Sequence, residues 1–101
     1  MRMLMHVRFP IEPFNSALRD GTAGAKIQRI MDSVKPEAAY FTDEDGMRGG
    51  TFVVHVNDLS EIPALAEPFF LTFDAEVKFG IAMTAEDIGK ANLDALGKKW
   101  G

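Results

Sequence analysis

Cysteine is missing from this chain of 101 residues. No disulfide can staple it, and no thiolate can hold a metal or attack a substrate. Positive charge is scarce: 11 Lys and Arg face 15 Asp and Glu, a net charge of −4 with a pI near 5.0. That is the wrong sign for a protein that grips nucleic acid through its phosphates. The basic doublet Lys98-Lys99, beside Trp100, is too small to be an electrostatic footprint. No run approaches the roughly 18 unbroken apolar residues of a transmembrane helix. The apolar opening "MRMLMHVRFP" is interrupted by His6 and Arg8, with no small-residue cleavage site after it. It reads as a strand and not as a signal peptide, and a cytoplasmic location is expected.

Hydrophobic residues make up 47% of the chain and charged residues 26%, the balance of an ordinary globular protein. No repeat, linker or low-complexity tract divides it, so residues 1–101 read as a single domain. Met3, Met5, Val7 and Phe9 alternate with Leu4, His6 and Arg8, which predicts a first strand with one apolar face and one mixed face. Phe14, Leu18, Ile27, Ile30, Met31 and Val34 then fall at helical spacing. They predict either one helix from about Glu12 to Ser33 or two segments broken near Asp20-Gly21, with Thr22 capping the second. Pro36 ends the helix by biasing Lys35 away from helical dihedrals.

"EAAYFT" and "GGTFVVHV" read as two strands joined by the acidic turn "DEDG". "NDLSEIPALAEP" fits a short helix capped by Ser60, with Pro63 in its first turn and Pro68 near its end. "FFLTFDAEVKFGIAM" reads as a fourth strand, and Thr84 caps a last helix with Glu86 and Asp87 in its first turn. Strand, helix, strand, strand, helix, strand, with an extra C-terminal helix, is the ferredoxin-like βαββαβ order of an α+β fold. The expected sheet order is 4-1-3-2.

Two helices cover only one face of such a sheet. The covered face should carry Met5, Val7, Val54, Val56, Val77 and Phe79. The opposite face carries Leu4, His6, Arg8, Tyr40, Thr51, Val53, His55, Glu76 and Lys78. It is too apolar for bare solvent in places and too polar for a dry core, so two such faces are expected to meet across a two-fold axis. The element order over residues 1 to about 83 resembles the dimeric α+β-barrel superfamily, in which antibiotic-biosynthesis monooxygenases and muconolactone isomerase are found. The stretch from "KPEAAYFTDEDG" to "MTAED", with "AEPFF" within it, resembles most the small bacterial members without assigned function. The resemblance implies a homodimeric barrel with a lined cavity; no catalytic motif of the enzyme members is present.

The expected function is binding of a small organic molecule, anionic ones included, by His6, Arg8, Tyr40, His55 and Lys78. Parallel first and third strands would aim both imidazoles into one cavity. Arg8 and Lys78 suit a carboxylate or enolate, and Tyr40 suits a hydrogen bond to it. The alternative is a cofactor-independent monooxygenase or isomerase with His6 or His55 as base. A third is an interaction module built on the acidic turn Asp43–Asp45 and Trp100. No cofactor, metal, nucleic acid or membrane is expected as a partner. "GTAGAK" lacks the G-x-x-x-x-G-K-[ST] spacing of a phosphate loop and reads as a bend in a helix. "DEDG" lacks calcium-loop spacing and reads as a solvated turn.

Overall fold

The computed structural model describes all residues, Met1–Gly101. Its elements run β1 (Arg2–Arg8), α1 (Ile11–Arg19), α2 (Ala23–Val34), β2 (Ala38–Glu44) and β3 (Met47–His55). A 3-10 turn (Leu59–Glu61), α3 (Ile62–Phe73), β4 (Glu76–Ile81), α4 (Ala85–Ala91) and α5 (Leu93–Trp100) follow. The sheet order is β2-β3-β1-β4, as expected, and every neighbouring pair is antiparallel. This α+β arrangement is consistent with a ferredoxin-like fold. No helix is long and apolar enough to cross a membrane.

Several boundaries differ from the sequence reading for identifiable reasons. The first helix does break: Asp20 ends α1, Gly21 adopts φ +81, and Asp20 accepts from the Thr22 N–H and hydroxyl before α2 begins. Gly21 is therefore a turn residue, whereas Gly24 lies inside α2. Glu12 is extended and not helical, and its carboxylate accepts from Ser16 at the head of α1. Asp58, not Ser60, caps the next helical segment, and Pro68 sits inside α3 instead of near its end. "FFLTF" is the last part of α3 and not strand, because Phe69 and Phe73, four apart, both turn into the core. The expected last helix is two helices, divided at Asn92 with φ 53.

The helix-covered face buries Met3, Met5, Val7, Phe9, Phe52, Val54 and Val56. Val77 and Phe79 pack at its margin. Phe9, Phe14, Phe52, Phe69 and Phe73 form an aromatic cluster, Phe14 stacked on Phe73 at 4.8 Å and Phe52 beside Phe69 at 5.3 Å. Offset and edge-on ring pairs of this kind add about 0.5–1.5 kcal/mol beyond their buried area. Asp45 (φ 52) and Gly46 (φ 79) make the two-residue turn between β2 and β3. Both central residues are left-handed, as the twist of a tight hairpin demands, and Asp-Gly supplies that cheaply.

Candidate functional site

No helix lies over the other face of the sheet, and the register decides what meets there. Tyr40 is opposite Thr51, Thr51 opposite His6, and His6 opposite Lys78. One polar row thus crosses all four strands. With neighbouring strands about 4.8 Å apart, the row is roughly 14 Å long. His6 Nδ1 lies 3.2 Å from the Thr51 hydroxyl oxygen, which fixes the ring against the adjoining strand. Its partner is a hydroxyl and not a carboxylate, so His6 lacks the orienting acid of a histidine-based catalytic dyad.

The next row toward the hairpin is Thr42, Gly49, Arg8 and Glu76. Arg8 donates to Glu76 at 2.6 Å and lies 3.6 Å from Asp45. Its guanidinium is therefore already engaged by carboxylates of its own chain. Lys78 forms no ion pair and is the cation of this face left for an incoming anion. His6, Arg8 and Lys78, with Glu44, Asp45 and Glu76, line a cleft of about 70 Å³. Ligand pockets ordinarily measure about 300–1,000 Å³, so one copy of the chain offers a floor and not an enclosure.

The expectation of parallel first and third strands is corrected by the antiparallel pairing, which places His55 opposite Arg2. His55 shares the open face with His6 but stands four residues away along the sheet, about 14 Å at strand rise. It lines a separate groove with Arg2, Ile81, Met83, Thr84 and Asp87. There Arg2 donates to Glu37 at 2.9 Å, a hydrogen bond that raises the guanidinium pKa further. The five sequence candidates thus separate into His6, Arg8, Tyr40 and Lys78 at one end and His55 at the other.

Sequence reasoning placed Glu44 and Asp45 in the acidic turn without bringing them to Arg8, and passed over Gly49. The turn remains solvated, but Asp45 also reaches back toward Arg8. At Gly49 a Cβ would lie 2.8 Å from the Val7 carbonyl oxygen. The signal was available: glycine inside a strand marks close backbone approach. No group of three or more His, Asp or Glu side chains is arranged to hold a metal ion. No protein-family model matches the chain, and no curated protein matches its sequence.

Proposed function

We propose that two copies of this chain close their open sheet faces on each other as a dimeric α+β barrel and hold a small organic molecule between them. The observation that carries this reading is the uncovered row Tyr40–Thr51–His6–Lys78, set among the half-buried apolar side chains of Leu4 and Val53. Monomer surfaces seldom leave the middle of a sheet both partly apolar and uncovered. A polar row there is suited to orienting a ligand whose remaining surface is apolar.

The ligand carries one anionic group, placed at Lys78 and His6. Arg8 contributes less directly: bound to Glu76 and near Asp45, it sets the acidic rim of the cleft and does not meet a second anion. Tyr40, with its ring exposed and its hydroxyl making no hydrogen bond within the chain, supplies an aromatic wall and a donor.

Saturation-transfer NMR against a panel of aromatic and aliphatic monocarboxylates tests this, with the native chain beside a His6→Phe/Lys78→Met double variant. Binding to the native chain that falls at least tenfold in the variant supports the site. Equal binding by both, or no binding by the native chain, removes it.

A further inference from the structure

Every residue from Met83 to Gly101 is exposed, although most of them lie in formed helices. Thr84 and Asp87 make a reciprocal capping box at the head of α4, and the Asn92 side chain accepts from the Ala95 N–H at the head of α5. Caps organise ends, but isolated helices shorter than about 12–15 residues are marginal in water. Helices of 7 and 8 residues need a surface to lie on.

The chain itself supplies none. Its radius of gyration is 17.1 Å and its longest extent 59 Å, against about 13 Å expected for a compact chain of this length. Its accessible surface of 6855 Å² exceeds the value expected for a compact 11.1 kDa chain by about 1,200 Å². A stable complex buries about 800 Å² on each partner, so the surplus is of the right size for one.

Leu93, Leu96 and Trp100 fall at spacings of three and four, one stripe of α5, and Trp100 is 78% exposed. Lys98 and Lys99 end that helix. Complementary groups stand at the far end of the sheet: Phe41, exposed on edge strand β2 on the face away from Tyr40, and Asp43, Glu44 and Asp45 at its hairpin. The arm leaves the sheet at the opposite end, beside Arg2 and His55. Stacking two faces with like ends together would set the two acidic hairpins side by side. Stacking them with opposite ends together brings each arm to the hairpin end of the other copy's sheet.

We infer that residues 84–101 form an exchanged arm that docks on a second copy of this chain. Leu96 and Trp100 lie against Phe41 at the β2 edge of that copy, and Lys98 and Lys99 against its acidic hairpin. The inference rests on the face-to-face dimer but goes beyond it, since that dimer could form without the arms.

Sedimentation velocity on full-length chains separates the two. The native chain is expected to be dimeric at about 10 μM, and Leu96→Asp/Trp100→Asp to weaken dimerisation at least tenfold. Circular dichroism should show the sheet domain still folded, because both side chains are exposed and outside the buried core. Lys98→Glu/Lys99→Glu should weaken the dimer as well, and adding Asp43→Lys in the same chain should recover much of the loss. Arm variants that dimerise like the native chain overturn the exchanged arm and leave the face-to-face dimer standing. A native chain that stays monomeric to about 100 μM overturns both.

Discussion

The helix-covered half of the sheet and the arm that follows β4 are built from similar apolar side chains and meet opposite fates. Phe69 and Phe73, four apart on α3, are fully buried against the strands. Leu96 and Trp100, four apart on α5, stay 45% and 78% exposed. Spacing and residue type are the same kind of signal in both places. What differs is where the chain goes next: Gly21 leads α1 into α2, and Lys35 and Asp74 lead α2 and α3 back into β2 and β4, whereas Asn92, equally left-handed, leads α4 only into α5. Helical periodicity thus indicates a face that will be buried, without indicating which chain buries it.

The contrast is tested most severely in the core. Phe69→Ala should cost about 3–5 kcal/mol in chemical denaturation, because the cavity opens beneath Phe9 and Phe52. Leu93→Ala on the arm should move the same transition by less than about 0.5 kcal/mol at concentrations low enough to keep the chain monomeric. A comparable loss at both sites would show that the arm folds as part of the domain.

Gly49→Ala should follow, destabilising by about 1–3 kcal/mol, since its Cβ would sit 2.8 Å from a backbone oxygen that cannot rotate away. Gly24→Ala, in open space within α2, should stabilise by up to about 1 kcal/mol. Together these melting experiments separate a glycine required by packing from one merely tolerated in a helix.

Loss of the capping box by Thr84→Ala should remove about 0.5–2 kcal/mol from α4. Amide exchange should quicken across 85–91 and stay unchanged in β1 and β3. Protection lost throughout the chain would instead couple the arm to the core.

The smallest effect is with pH. The backbone N–H of Thr84, followed by its hydroxyl, holds the Asp87 carboxyl below its ordinary value. The Ser60 and Thr22 hydroxyls do the same for Asp58 and Asp20. A carboxyl depressed in the folded state contributes stability that is complete above its unfolded pKa and lost as pH falls through the folded value. Helical content should therefore hold from neutrality to about pH 4 and decline below it, as followed by amide signals during acid titration. Decline beginning near pH 6 would show that these carboxyl caps are not its cause.

Much of the architecture was readable because local chemistry and global fold agree. The alternation of Met3, Met5 and Val7 with His6 and Arg8 assigned β1 and both its faces. Asp45-Gly46 marked the hairpin, and Thr84 marked the start of α4. "FFLTF" misled because aromatic and β-branched residues fit a pleated strand as readily as a buried helix, and a short apolar run has no period of its own. The paired histidines misled for a different reason. A sequence shows which face a strand residue occupies, but strand direction and register decide which residue lies beside it.

Alternation and turn chemistry are properties of neighbouring residues, so they determined the strands, the hairpin, the buried face and the polar composition of the open one. Antiparallel pairing, which parted His55 from His6 and gave Arg8 its carboxylates, joins residues more than forty positions apart. So does the absence of any surface for α5 within its own chain. Those outcomes depend on where the chain returns in space, and only the tertiary structure decided them.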